Sequence, residues 1–426
     1  MKFKRVNLPF GARLMYVKNK INKSTNVEIT FDGGASKEKI PGLAHFVEHM
    51  FFSGTDKLSA QEVKKEYFKF SETNAYTNFK DICFSGRIFT NELSDYFSTV
   101  GMLITETNFS KKAIEDEKKV VIQEINESKD NNKLKFYNYN FTKIYNHDFI
   151  NHDVIGNEKS VMSITRKDVL EFVNQYFVAN NIDVYICTPL SLNKVKKILI
   201  KNLVKKLRVN NDFVRPKLFY FDISNFNFLQ SKYKNIGKSY LSFSFKTNHG
   251  IKDINFYNRE VLISYMINDF ASGIEKKLRH EKKFVYSAEY FISFGEMDSV
   301  ANIITETDKN NVNVIIETVA EYINELKEKG FTLEQLNQAK RRLRFSHESK
   351  SITTKFLINK LYQFRRFGKV LDDEYLYKTA MNTTLGECNQ MIKEIFDIKN
   401  IGCSVYGDIN KTELMKEKKF LELYKN

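Results

Sequence analysis

The sequence predicts an α+β fold made of two similar domains, and three observations carry that expectation. Period-two apolar runs and long period-3.6 runs occur in both halves of the chain. At 426 residues the chain exceeds what one core usually supports, and two domains of about 200 residues are expected. A helix end, a turn and a strand at Phe172 to Ile186 also reappear about 220 residues later at Met391 to Tyr406. Such a long-period duplication places the domain junction near Val209 to Arg215, giving domains 1–212 and 213–426.

Taken in order, Val27 to Phe31 and Ile82 to Ser85 alternate as strands, and Ser239 to Phe245 does the same in the second half. Leu43, Phe46, Val47, Met50 and Phe51 recur at helical spacing, as do apolar positions in Ser110 to Ser128, Val312 to Glu328 and Leu333 to Lys350. A hydrophobic content of 42%, with 37 phenylalanines, supplies ample core material for both domains.

The first of these helices carries the chemistry. His45, Glu48 and His49 form an H-x-x-E-H motif, the reverse of the H-E-x-x-H order of many zinc peptidases, and either order keeps two histidines one turn apart. With the apolar face turned inward, His45, Glu48, His49 and Phe52 share the opposite face. Two imidazoles there can point at one Zn2+, and a neighbouring carboxylate can take the proton of a water that attacks a carbonyl. An ordinary amphipathic helix fits the same residues, so a third ligand decides between the readings.

Ser110 to Ser128 offers that ligand. Ala113, Ile114, Val120, Val121 and Ile125 form its apolar stripe, Ser110 suits the N-cap, and Glu117 and Glu124 fall on the stripe seven residues apart. Carboxylates carried toward the interior cost several kcal/mol unless a cation meets them. Glutamates exposed on a merely charged helix, beside Glu115, Asp116 and Glu127, are the alternative.

H-x-x-E-H followed about 75 residues later by a helical E-x6-E resembles the pitrilysin, insulin-degrading enzyme and mitochondrial processing peptidase family. Asp32 to Ala35, Glu38, Gly42 to Ala44, Phe52 to Thr55, Ile155-Gly156 and the helix beginning near Ile164 extend the resemblance. It implies that Glu124 is the third ligand of one Zn2+ per chain and that Glu117 assists from nearby. Asn74, Ala75, Tyr76 and Thr77 resemble the edge strand on which that family grips an extended substrate by strand addition. Ala271-Ser272-Gly273, Leu278-Arg279 and Tyr286 resemble a stretch whose arginine and tyrosine help hold the substrate carbonyl. The implied domain is a mostly antiparallel sheet with helices packed on one face, and two such domains form a clamshell. The second half lacks the metal motif.

The expected function is therefore zinc-dependent endopeptidase cleavage of short or unfolded peptides in an enclosed chamber, with processing of leader peptides as one form. The alternative is a catalytically silent, peptide-binding partner subunit of a related peptidase. The resemblance implies a half-size, bacterial-type member that pairs as a homodimer or with a related subunit. A net charge of +15 raises nucleic-acid binding, with Lys276 to Phe284 and Lys340 to Arg344 as patches. The basic residues are interleaved with acids along the whole chain, and no nucleic-acid partner is expected. Cys83, Cys187, Cys388 and Cys403 are widely spaced, and no signal peptide or apolar run of membrane-spanning length occurs, so a cytoplasmic location with free thiols is expected. His147 and His152 lie in a polar loop with too few neighbouring ligands for a second metal.

Overall fold

Six strands build the first sheet in a computed structural model that describes the chain except residues 21–22, 129–130, 146–152, 216–225, 296, 411–412 and 425–426. They are β1 (Phe3–Asn7), β2 (Arg13–Lys18), β3 (Ser24–Phe31), β4 (Glu72–Thr77), β5 (Ile82–Phe89) and β6 (Ile182–Thr188). Their order is β1-β2-β6-β3-β5-β4, and every pair is antiparallel except β2 with β6. The second sheet holds β7 (Phe228–Tyr233), β8 (Ser239–Thr247), β9 (Val285–Phe294), β10 (Ser299–Thr307) and β11 (Ile401–Gly407) in the order β7-β11-β8-β10-β9. It repeats the plan, with β11 and β7 as its one parallel pair. The duplicated segment accounts for the likeness. Arg166–Tyr176 and Leu385–Ile395 each lead through a single 3-10 turn into a central strand, β6 or β11.

All seven residues of β6 are buried, which a sheet covered on one face alone would not produce. Its side chains sort by period two. Val184 and Ile186 join the large core formed with the helices of the first half, while Tyr185 and Cys187 pack on Leu357, Ile358 and Leu361. Helices therefore gather on one face of the sheet, and among the described residues a single helix from late in the sequence, Thr354–Phe367, covers the other. The second sheet is built the same way, with Phe136 from helix Asn132–Ile144 against Tyr240, Ile304 and Tyr406 on the face opposite the main core.

Two compact units result. One comprises Met1–Asp130, Asp148–Phe219 and Ile352–Leu371, and the other Asn131–His147, Tyr220–Ser351 and Asp372–Asn426. A division into consecutive stretches 1–212 and 213–426 thus describes the duplication in the sequence, whereas the packing exchanges one helix in each direction.

The motif helix, Leu43–Met50, starts at Gly42 with φ 89°. A Cβ on Gly42 would lie 2.7 Å from the Ile155 carbonyl oxygen, and one on Gly156 would lie 2.5 Å from that of Pro41. Both positions need glycine because the two backbones touch there. The Glu38 carboxylate accepts hydrogen bonds from the amides of Gly42 and Ala44, both at 2.7 Å, and caps the orphan donors of the first turn. Leu43, Ala44, Phe46, Val47 and Met50 are all buried, which fixes the helix rotation and turns the motif residues toward the core's edge.

Candidate metal centre

The glutamate helix, Lys111–Ser128, begins as expected, with the Ser110 hydroxyl accepting from the Ala113 amide at 3.1 Å. Its buried meridian runs through Ile114, Lys118, Val121 and Ile125, while Val120, expected on the stripe, is half exposed. Glu117 and Glu124 therefore sit on the shoulder of the helix, roughly 70–90° around from that meridian. From the shoulder a carboxylate reaches the rim of the core without being fully desolvated.

Across the rim lie the two imidazoles, with ring centroids 4.5 Å apart. Glu124 Oε1 is 3.7 Å from His45 Nε2, and its Oε2 is 3.5 Å from His49 Nε2. One donor atom from each of His45, His49 and Glu124 lies within 4.8 Å of the other two. The far nitrogen of His49, Nδ1, stands 2.8 Å from Glu117 Oε1. A carboxylate behind a histidine in this way fixes the ring and leaves Nε2 to face the cluster. Glu48 is buried beside them, and its Oε2 accepts a hydrogen bond from the Thr77 hydroxyl at 2.8 Å.

The electrostatics separate the two histidines. Burial first, and then the charge of His49, lowers the His45 pKa to about 4, so this imidazole is neutral at pH 7 with a lone pair to give. Burial opposes charge on His49 too, but hydrogen bonds to Glu117 and Glu124 outweigh it and raise its pKa to about 9. The hydrogen bond to His49 lowers the Glu124 pKa. Burial raises that of Glu48, against the Thr77 hydrogen bond, a direction that suits a proton acceptor.

This donor set fits Zn2+. Two imidazoles and a carboxylate are the usual protein ligands of a catalytic zinc, which keeps a fourth position open. Buried His45 Nδ1 has no hydrogen-bond partner among the described residues, so the polar contacts of this ring run through Nε2, the atom facing the cluster.

Asn74, Ala75 and Tyr76 lie on β4, which is the edge of the sheet and, among the described residues, pairs with β5 alone. Arg279 and Tyr286 belong to the second unit, where the guanidinium carbon lies 5.1 Å from the tyrosine ring centroid. Arg279 also pairs with Glu275 at 2.7 Å, and Tyr286 is 75% exposed. Phe52 leaves the ligand face, meeting the Tyr67 ring edge-on and stacking on Phe68. In the basic patches Lys277, Arg342 and Arg344 pair with Glu325, Asp269 and Glu348. His147 and His152 lie outside the described residues. All four cysteines are free and buried. No helix among the described residues is long and apolar enough to cross a membrane. Thr77 was legible only as part of a strand, since no spacing rule ties a threonine to a glutamate 29 residues earlier.

Known proteins resemble the chain over most of its length. Residues 13–154 match the family model described as insulinase (peptidase family M16), and residues 163–343 match that described as the peptidase M16 inactive domain. An uncharacterized zinc protease of Bacillus subtilis, YmxG, is 20% identical over 347 residues, covering 80% of this chain and 83% of that protein. The β subunit of the rat mitochondrial-processing peptidase is 26% identical over 170 residues, a local match to 39% of this chain and 35% of the subunit. A protease from Helicobacter pylori superposes with a TM-score of 0.82 at 17% identity, covering 95% of this chain and 99% of the other. Motif helix, glutamate helix and paired sheet-and-helix units thus stand in a chain that belongs to peptidase family M16.

Proposed function

We propose that this protein is a zinc-dependent endopeptidase acting on short or unfolded polypeptides. The observation that carries the reading is the convergence of His45, His49 and Glu124 on one point, with buried Glu48 beside them. His45, His49 and Glu124 would hold Zn2+, and Glu117 would hold the His49 ring. When bound, zinc supplies a Lewis acid that polarises a peptide carbonyl and acidifies a water molecule. Glu48 accepts the proton of the attacking water at a carboxylate oxygen and returns it to the departing amine. Thr77 keeps that carboxylate aimed by occupying its Oε2. The free edge of β4 at Asn74, Ala75 and Tyr76 takes an extended peptide as an added strand, which favours unfolded substrates over folded ones. Arg279 and Tyr286 are assigned to the substrate carbonyl on the family resemblance. Trimming of leader peptides, and pairing as a homodimer or with a related subunit, belong to the same proposal; the match to a mitochondrial-processing peptidase subunit supports both.

Zinc content of the purified chain, with cleavage of an unstructured fluorogenic peptide library before and after chelation, tests the reading. Bound zinc and chelator-sensitive cleavage are expected, and Glu48→Gln should keep the metal while abolishing turnover. Unchanged hydrolysis by that variant would overturn the role of Glu48, and no zinc under metal-replete conditions would overturn the site.

A further inference from the structure

The first unit holds a buried ionic network that neither the motif nor the ligand set accounts for. Asp32, at the end of β3, and Asp81, just before β5, both face Arg365 from helix Thr354–Phe367. Arg365 Nη1 stands 2.7 Å from Asp81 Oδ2, while Nη2 bonds Asp32 Oδ1. The two loops so clamped are also stitched backbone to backbone. Gly34, Ala35 and Ser36 donate to the carbonyls of Lys80, Asn78 and Phe79 at 3.2, 3.0 and 2.8 Å. The approach is so close that a Cβ on Gly34 would lie 2.2 Å from the Asn78 oxygen.

The clamp leads to the candidate site. The other oxygen of Asp81, Oδ1, accepts from the Asn78 side chain at 3.1 Å, and the Asn78 amide donates to the Asp81 carbonyl at 2.8 Å. Asn78 directly follows Thr77, whose hydroxyl holds Glu48. The other clamped loop runs through Glu38 to the start of the motif helix. A planar guanidinium can bridge two carboxylates in fixed directions, which an ammonium cannot. We propose that Arg365 is a positioning residue for Glu48, acting through Asp81, Asn78 and Thr77, a role that rests on the hydrolase reading above. Asn74, Ala75 and Tyr76 are held by pairing with Ser85, Phe84 and Cys83 of β5, whereas Thr77 is the last residue of β4 and borders the clamped turn, so the clamp acts on the aim of Glu48 more than on the substrate-gripping edge.

The test compares the full chain with R365K, T77V, the double variant and D81N, reading zinc content, thermal unfolding, kcat and KM on an unstructured fluorogenic peptide. R365K and T77V should each keep the wild-type zinc content and lose kcat about tenfold, with KM within about twofold. The double variant should be no slower than T77V, because both changes act on one hydrogen bond. D81N should reproduce the loss, and it carries the cycle with T77V if R365K does not fold. Wild-type kcat in R365K and D81N, losses that multiply in the double variant, or failure of both R365K and D81N to fold and bind zinc would each overturn the proposal. A wild-type chain that binds zinc and cleaves nothing would instead overturn the hydrolase reading, and this role with it.

Discussion

Glu117→Gln separates the two jobs that the structure gives the Glu117 carboxylate. Glu117 and Glu124 together raise the His49 pKa from 6.5 to about 9 against the effect of burial, so a metal at Nε2 has a proton to displace. At pH 7 that proton sits about two units on the bound side and subtracts ~2.7 kcal/mol from the apparent zinc affinity. Since binding releases the proton, affinity should rise about tenfold per pH unit from pH 7 and level off near pH 9. His45 adds no slope in this range because its pKa is about 4. The same carboxylate, 2.8 Å from Nδ1, also orients the ring, and losing such a partner weakens a metal site by about 10–100-fold, or ~1.4–2.7 kcal/mol. Above pH 9, where proton competition is spent, Glu117→Gln should bind zinc about 10–100-fold more weakly than wild type. Toward pH 7 the gap should narrow, because the variant's imidazole holds its proton less tightly. Competition against a chromophoric chelator from pH 6 to 9.5 gives both curves. Parallel curves with equal affinity at pH 9 would refute the assignment of Glu117 to His49.

Three further perturbations probe the packing of each unit and the use of β4 as a binding strand. Phe51 is fully buried among the rings of Phe84, Phe109 and Phe177, so Phe51→Ala should cost ~3–5 kcal/mol in denaturant unfolding, and a loss below ~1 kcal/mol would contradict the packing. Burial raises the pKa of Glu260, beside Tyr290, from 4.5 to about 7. Between those values Glu260 holds its proton more in the folded than in the unfolded chain, so its contribution to stability is greatest below pH 4.5 and falls by ~3 kcal/mol as pH rises to about 7. Glu260→Gln should remove that fall in urea melts at pH 5 and 8; an unaltered pH dependence would count against the burial of a titrating carboxyl. Peptides N-methylated at successive amides should lose cleavage about tenfold at every second position if β4 receives its substrate as an added strand, and uniform losses would contradict that mode of binding.

Much of the site lay within reach of local rules. The i, i+4 spacing places His45 and His49 on one side of a helix whatever surrounds it, and the apolar face at Leu43, Phe46, Val47 and Met50 says which side is inward. The seven-residue interval of Glu117 and Glu124 likewise puts both carboxylates on one shoulder of their helix. Local spacing did not divide the work between them, because the distance of each from the imidazoles depends on how two helices pack. Val120 is apolar yet half exposed because it lies about 130° around the helix from the Ile114, Val121 and Ile125 meridian, and only the packing showed where that meridian runs.

By itself the sequence determined the strongly periodic helices and strands, the duplicated plan and the inward side of the motif helix, since periodicity is a property of the covalent chain and its hydrogen-bonded repeat. Only the tertiary structure decided what meets those faces. Nothing local marks Thr354–Phe367 as the cover of the first sheet, Arg365 as the clamp on Asp32 and Asp81, or Thr77 as the partner of Glu48. A hydrophobic face is non-directional and accepts any partner of matching shape, so long-range pairings are fixed only when the whole chain buries its apolar surface and satisfies its buried charges together.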